Sequence, residues 1–153
     1  MKNQLGIING LAAGILTVGC FLLLYFIDRP WILQAGLWWG SLIIYLTFMF
    51  RAARRVRGES FRSIVQVAFL VFITANAIFY VFYYLLFSVF DPGLVDLQRE
   101  ILADHPMWQG DNSDPDLSVT LSRTLFSFVY SLIGGFILAL LVSAVVRRKV
   151  SEE

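Results

Sequence analysis

Charged residues are scarce in this chain of 153 residues. They make up 15% of it, against about 25% in an ordinary soluble domain. Apolar residues make up 58%, and the mean hydropathy is +0.73. A soluble protein needs more polar surface than this to cover its core, so the composition predicts a protein that lies in a lipid bilayer. The formal net charge is only +1, so the overall charge does not favour a strongly charged partner.

Cysteine and histidine each occur once, as Cys20 and His105. A single cysteine excludes an internal disulfide, and a single histidine excludes a metal site built from several histidines. The sequence contains no glycine-rich phosphate loop, HExxH or GxSxG motif. The stretch DNSDPD has alternating carboxylates, as calcium loops do, but Leu117 and Arg123 stand where such a loop needs its glycine and its bidentate glutamate. We therefore predict no metal, no cofactor and no enzymatic activity.

Four long apolar runs, at residues 5–27, 31–50, 64–90 and 121–146, account for the hydrophobicity. Each reaches the roughly 20 residues that a helix needs to cross a hydrocarbon core of about 30 Å. The runs are continuously apolar, whereas the strands of a membrane barrel alternate and are about half as long. The sequence thus predicts an all-α fold, an integral membrane four-helix bundle that forms one membrane domain over residues 1–153. We expect the third and longest run to tilt or to project from the bilayer.

The basic residues are concentrated on one side of such a bundle. Nine of the twelve form this group: Lys2, Arg51, Arg54, Arg55, Arg57, Arg62, Arg147, Arg148 and Lys149. Cytoplasmic segments of membrane proteins are enriched in lysine and arginine, so we expect both termini to be cytoplasmic in a multi-pass protein of the cell (inner) membrane. Residues 91–120 then form an outer loop. The first run lacks a small-x-small cleavage pattern, so we expect it to be retained as a span.

The arginine cluster between the second and third runs is interpreted first as this topology signal. Arginines beside a membrane also attract anionic lipid headgroups, at about 1 kcal/mol per residue. The candidate headgroup contacts are therefore Arg51, Arg54, Arg55, Arg57 and Arg62. Nucleic acid is not an expected partner, because neither an aromatic stacking platform nor a known binding module accompanies the charge.

The outer loop is predicted to begin with a short amphipathic helix. Asp91 can cap it and Pro92 can occupy its first position, while Leu94, Leu97 and Ile101 share one face. The opposite face is acidic, which argues against docking onto anionic headgroups. We expect the apolar face to rest on the end of the bundle or on a partner.

Small residues recur every four positions in three of the spans. They are Gly6, Gly10 and Gly14 in the first span, Gly36 and Gly40 in the second, and Ser127, Ser131, Gly135, Ala139 and Ser143 in the fourth. This spacing lets helix backbones approach closely, so it predicts packing seams within the bundle. The alternative is a groove for a lipid tail or for a partner helix.

The deep parts of the spans contain no Asp, Glu, Lys, Arg or His, which disfavours a pump or a coupled transporter. Neutral polar residues remain there, namely Asn9, Thr17, Gln66, Thr74 and Asn76. Hydrogen bonds between helices explain them, at about 0.6 kcal/mol each.

One polar layer is predicted near the middle of the membrane. Counted from the basic ends of their runs, Thr17, Asn76 and Gly135 all lie about 17 to 18 Å deep. We expect Asn76 to face the bundle and to hydrogen-bond the first or fourth span, with Thr17 or Ser131 as the donor. The alternative role for Asn76 is contact with a ligand.

Three stretches carry a resemblance to a known family. They are GIINGLAAG in the first span, RGESF before the third and VFDPGLVDLQREI after it, with Arg57, Gly58, Phe61, Asp91 and Pro92 as the matching positions. Over nearly its whole length the chain resembles a family of small four-span bacterial membrane proteins catalogued only as a domain of unknown function. The stretch MWQGDNSDPD departs from the family pattern. The resemblance implies a topology and supplies no activity or substrate.

These observations favour a non-enzymatic integral membrane accessory or scaffold protein. Its expected partners are membrane lipids and either another membrane protein or further copies of itself. The alternative is a carrier or flippase-like helper for a lipid-linked sugar or another lipid. A cavity open sideways to lipid beside Arg54, Arg55 or Arg57 would favour the carrier, whereas a flat apolar flank of small residues would favour the scaffold.

Overall fold

A computed structural model of the chain describes residues 2–103 and 117–148. Its α-helices are α1 (Lys2–Ile27), α2 (Ala35–Arg55), α3 (Phe61–Leu85), α4 (Gly93–Ala103) and α5 (Leu121–Arg148). A short 3-10 helix (Arg29–Leu33) precedes α2, and a π-helical turn (Leu86–Phe90) extends α3. The described residues contain no strand. Four helical segments are long and apolar enough to cross a membrane: Lys2–Ile27, Ala35–Arg55, Phe61–Phe90 and Leu121–Arg148. The prediction of an all-α membrane bundle is confirmed.

The second span begins later than its apolar run. The run starts at residue 31, but α2 starts at Ala35. Pro30 lies in the first turn of the 3-10 helix, and Gln34 then adopts an extended backbone, so the chain turns before α2 begins. Residues 31–33 therefore lie at the end of the bundle, where Ile32 is fully buried.

The third span is the longest, as its run predicts. The side chain of Ser60 caps α3 by accepting a hydrogen bond from the backbone N–H of Ser63 at 3.3 Å. At the other end, the N–H of Asp91 donates to the carbonyl of Leu86 at 2.8 Å, which is the i to i−5 spacing of a π-turn. The whole segment has 30 residues and is about 45 Å long at 1.5 Å per residue.

α3 is the central helix of the bundle. It packs against α1, α2 and α5, while α2 also packs against α1 and α5. No contact joins α1 to α5 within the described residues, so these two helices flank α3 on opposite sides. We call the end formed by Lys2 and residues 51–62 and 147–148 the basic end, because Lys2 pairs with Glu59 there and Arg147 lies over the ring of Phe61. The opposite end, which carries α4, is called the acidic end.

The predicted amphipathic helix is present as α4. Leu94 is fully buried in an apolar cluster at the acidic end, and Leu97 packs against the same cluster. The remaining buried members of the cluster are Phe21, Ile32, Phe79, Leu86 and Phe87. The apolar face of α4 thus rests on the end of the bundle, although Ile101, assigned to the same face, is exposed.

Candidate functional site

The three glycines of α1 are used for packing against α3. A Cβ atom built on Gly6, Gly10 or Gly14 would lie 2.7, 2.6 or 2.8 Å from a side-chain carbon of α3. The neighbours are Leu70, Thr74 and Ile78 in turn. Real Cβ atoms do not approach so closely, so larger side chains at these positions would push α1 away from α3.

The small residues of α5 form a second seam, against α3. A Cβ on Gly135 would overlap the ring of Phe72, while Ala139 and Ser143 are fully buried. The hydroxyl of Ser143 donates to the carbonyl of Ala139 at 2.6 Å, so its polarity is satisfied within α5. Ser127, at the acidic end of the stripe, is exposed. The seam therefore occupies the basic and middle parts of α5 and stops before its first turns.

A polar contact joins α3 to α5 within this seam. The side-chain amide of Asn76, which is only 5% exposed, donates to Oγ of Ser131 at 2.5 Å. The hydroxyl of Ser131 in turn donates to the carbonyl of Phe128 at 2.5 Å. Asn76 thus faces the bundle and contacts Ser131, one of the two expected hydroxyls, but Asn76 is the donor and Ser131 the acceptor. The contact gives the amide a partner where lipid offers none.

The residues predicted to share one layer are staggered. Gly14 lies against Ala75 and Ile78, so Asn76 is level with Gly14 rather than with Thr17, which lies about 4.5 Å nearer the acidic end. Gly135 lies against Phe72, about 6 Å nearer the basic end than Asn76.

The membrane depth predicted for Thr17 by counting residues from the end of its run was wrong by about one helical turn relative to α3. Gly6 contacts Val67 and Leu70, so Leu5 is not level with Ile64, the first residue of the third run, as the count assumes. Apolar runs that begin at different heights cannot be compared by counting residues from their ends.

Thr17 and Tyr45 supply a second buried polar pair, between α1 and α2. Their hydroxyls are close neighbours, but neither makes a hydrogen bond within the part of the chain that the structure describes. Thr17 therefore does not bond Asn76. Tyr45 is absent from the predicted set of intramembrane polar residues. Its hydroxyl and its place in the middle of the second run are the sequence signals that could have included it.

The other neutral polar residues of the spans behave differently from one another. The amide of Asn9 donates to the carbonyl of Leu5 in its own helix at 2.7 Å, so it does not tie two helices together as predicted. Gln66 donates to the side chain of Asn3 at 3.2 Å and does join α3 to α1. The Cβ of Thr74 packs against Gly10 of α1.

The arginine cluster lies on the surface of the basic end. Its members, Arg51, Arg54, Arg55, Arg57 and Arg62, are all exposed. The guanidinium of Arg54 lies over the ring of Phe50, 4.5 Å from its centroid. Exposed arginines at this end of the bundle lie where lipid headgroups would be, as contact with those headgroups requires.

A three-residue clasp at the acidic end was missed by the sequence analysis. The carboxylate of Asp91 accepts hydrogen bonds from the hydroxyl of Tyr25 at 2.8 Å and from the guanidinium of Arg29 at 2.5 Å. Through its hydrogen bond and its charge, this carboxylate raises the pKa of Arg29. Asp91 was predicted to cap α4, but its carboxylate joins the end of α1 and the 3-10 helix to the start of α4. Tyr25 and Arg29 lie 66 and 62 positions before Asp91, and no local sequence pattern predicts contacts over such distances.

Among the cavities that open on the described surface of the bundle, three have volumes of about 440 to 680 Å³. One of about 440 Å³ at the acidic end is partly polar, and one of about 680 Å³ between α1 and α3 is apolar. The third, of about 450 Å³, is an apolar groove between α2 and α5. The first is lined by Leu33, Ala35, Trp38, Trp39, Tyr80, Tyr83, Gln98 and Ser127. Tryptophan and tyrosine are enriched at the interfaces of membrane proteins, and two of each line this cavity.

The described residues contain no group of three or more His, Cys, Asp or Glu side chains that could hold a metal ion. His105 and the acidic stretch at residues 111–116 lie outside the described residues. The described part of the bundle therefore offers seams, a clasp, exposed cations and lateral cavities as its candidate functional features.

Comparison with known protein families identifies the family of this chain. A family described as Protein of unknown function (DUF4199) matches residues 5–148, which is nearly the whole chain. No curated protein and no solved structure matches the chain. The resemblance predicted from the short motifs is thus confirmed at the level of the family. The chain therefore belongs to the DUF4199 family, and it is an integral membrane protein of unknown function.

Proposed function

We propose that the protein is a non-enzymatic membrane accessory or scaffold protein that docks a membrane-spanning helix on α2. The partner is a helix of another membrane protein or α2 of a second copy. One observation carries the proposal. A Cβ built on Gly36 or Gly40 would have no neighbour within 4 Å, whereas Gly6, Gly10, Gly14 and Gly135 are all packed inside the bundle.

The glycines of α2 were predicted to pack within the bundle, and they do not. Gly36 and Gly40 are four residues apart and share a helix face with Ile43 and Thr47, both of which are exposed. Small residues at this spacing let a second backbone approach closely, which favours association in lipid. Glycine also costs up to about 1 kcal/mol relative to alanine in a helix, so an unpacked pair needs a reason outside the bundle.

Site-specific crosslinking in cells tests the docking face. A photoreactive amino acid at Ile43 should give one discrete adduct, and Gly40→Leu should abolish it. The same probe at Ile133, which is exposed on α5, serves as the control position. Gly40→Leu should not lower the thermal midpoint of the purified protein, because a Cβ at this position has no neighbour within 4 Å. Adducts of equal yield from Ile43 and Ile133, or adducts insensitive to Gly40→Leu, would contradict the proposal.

A lipid carrier is the second candidate, and the groove between α2 and α5 favours it. The groove opens on the side of the bundle, toward lipid. Phe50 lines it, and the guanidinium of Arg54 lies over the ring of Phe50. A carrier needs a lateral entry of this kind beside a cationic group. Purified protein in liposomes should then speed the movement of a fluorescent phospholipid between leaflets. A rate equal to that of empty liposomes would remove this candidate.

We also propose that the basic end faces the cytoplasm of a cell whose inner membrane holds the protein. The distribution of lysine and arginine supports this orientation. In a Cys20→Ser background, Glu100→Cys at the acidic end should react with an impermeant thiol reagent in spheroplasts. Ser60→Cys should react only after lysis. Labelling of Ser60→Cys in intact spheroplasts would reverse the orientation.

A further inference from the structure

The groove between α2 and α5 lies in the half of the membrane next to the basic end. Leu46, Thr47 and Phe50 of α2 form one wall, and Leu141, Val142 and Val145 of α5 form the other. Phe50 lies five residues before the end of α2, and Val145 lies three residues before the end of α5. The groove therefore ends at the membrane surface, where headgroups lie, and its deeper part faces the acyl chains of one leaflet.

Arginines occupy the mouth of this groove. Arg54 lies over Phe50, with its guanidinium carbon 4.5 Å from the ring centroid. On α5, Arg148 follows Val145 by three residues, and on α2, Arg51 follows Thr47 by four. These spacings place each arginine on the face of its helix that lines the groove, one turn nearer the surface.

Among the described residues, no acid neutralises the charge at the mouth. Among the described residues of the basic end, Glu59 is the only acidic residue, and it pairs with Lys2. Arg147 is directed toward the other side of α5, since its guanidinium lies 5.8 Å from the ring centroid of Phe61 on α3. An apolar slot closed at the surface by arginines complements a molecule with an acyl chain and an anionic head.

We propose that this groove binds one anionic phospholipid from the leaflet at the basic end. One acyl chain lies between Phe50 and Val145, and the guanidinium groups of Arg54 and Arg148 hold the phosphate. Guanidinium presents paired N–H donors that match phosphate oxygens, and the stack on Phe50 restricts the motion of Arg54 before the lipid arrives. The site is independent of the scaffold role, and it deepens the carrier candidate without requiring any movement of lipid between leaflets.

Lipid titration of the purified protein in detergent, followed by native mass spectrometry, tests the site. Phosphatidylglycerol should bind with one lipid per protein and at least tenfold more tightly than phosphatidylcholine. Arg54→Gln with Arg148→Gln should weaken phosphatidylglycerol binding at least tenfold. The control, Lys2→Gln with Arg147→Gln, removes the same charge from the basic end outside the groove and should change the affinity less than twofold.

Two further arms separate the groove from simple charge attraction. Val145→Trp fills the apolar slot and should abolish the single bound lipid while every arginine remains. Glycerol phosphate, which has the anionic head without an acyl chain, should not bind. Equal loss in the two double variants, equal affinity for the two phospholipids, unchanged binding by Val145→Trp or binding of glycerol phosphate would each overturn the site. None of these variants touches Gly36 or Gly40, so the outcome is separate from that of the crosslinking test.

Discussion

Replacement of Gly135 by leucine should destabilise the bundle, whereas the same change at Gly134 should not. The two glycines are adjacent in α5, but a Cβ on Gly135 would overlap the ring of Phe72, and a Cβ on Gly134 would have no neighbour within 4 Å. The pair thus separates the effect of packing from the effect of losing a helical glycine, which both variants share.

The expected magnitude follows from the crowding. Overpacking a tight interior costs about 1 to 3 kcal/mol, and overlap with an aromatic ring on the central helix places Gly135→Leu near 3 kcal/mol. At about 2 to 4 °C per kcal/mol for a chain of this size, the thermal midpoint should fall by about 6 to 12 °C. Gly134→Leu should leave it unchanged or raise it slightly, because leucine favours a helix by up to about 1 kcal/mol relative to glycine.

The assay is thermal unfolding of both variants in one mild detergent, followed by intrinsic fluorescence. The double variant Gly135→Leu with Phe72→Ala should recover part of the loss, because removing the ring makes room for the leucine. Equal midpoints for Gly134→Leu and Gly135→Leu would refute the assignment of this stripe to the α3 seam. A double variant that is no more stable than Gly135→Leu would refute the assignment of Phe72 as the obstacle.

Two further predictions concern the polar contacts. Ser131→Ala removes the acceptor of Asn76 and should cost about 1 kcal/mol, lowering the midpoint by about 2 to 4 °C, whereas Thr47→Ala should have little effect because that exposed hydroxyl bonds only within α2. Equal shifts would mean that the Asn76 contact contributes nothing. Tyr25→Phe removes one hydrogen bond from Asp91 and should speed tryptic cleavage after Arg99 in α4, whereas the exposed Tyr130→Phe should not. Unchanged cleavage would remove the clasp as the anchor of α4.

The sequence is sufficient to predict the spans, because the bilayer sets one length and one polarity for every helix that crosses it. The late start of α2 follows from Pro30 and from the extended Gln34, which an apolar count does not detect. The contact between Asn76 and Ser131 is foreseeable because a buried amide needs a partner and few hydroxyls are available. Its level relative to Thr17 is not foreseeable, since the relative height of two helices depends on packing details such as Gly6 against Leu70.

The role of each glycine is the least predictable feature. Gly6 and Gly36 each open a repeat with the same four-residue spacing, yet one is packed and the other has no neighbour. Spacing shows that a helix can be approached closely, but it does not show which helix approaches. That choice depends on the whole arrangement, in which α3 takes the centre and contacts every other span.

The two proposed binding features lie on the same helix for a structural reason. In its apolar part, α2 is only 17% buried, against 50% for the third span, so it leaves more of its surface to other molecules than the central helix does. Gly40 and Arg54 are fourteen residues apart, which separates the docking face from the lipid headgroup by about 21 Å along α2. The close approach at Gly40 and the lipid headgroup at Arg54 therefore lie in opposite halves of the membrane, and Thr47 is the residue that the docking face and the groove share. If both are bound, removing the lipid site should leave the crosslink at Ile43 unchanged, and a lost crosslink would instead mean that the bound lipid forms part of the interface.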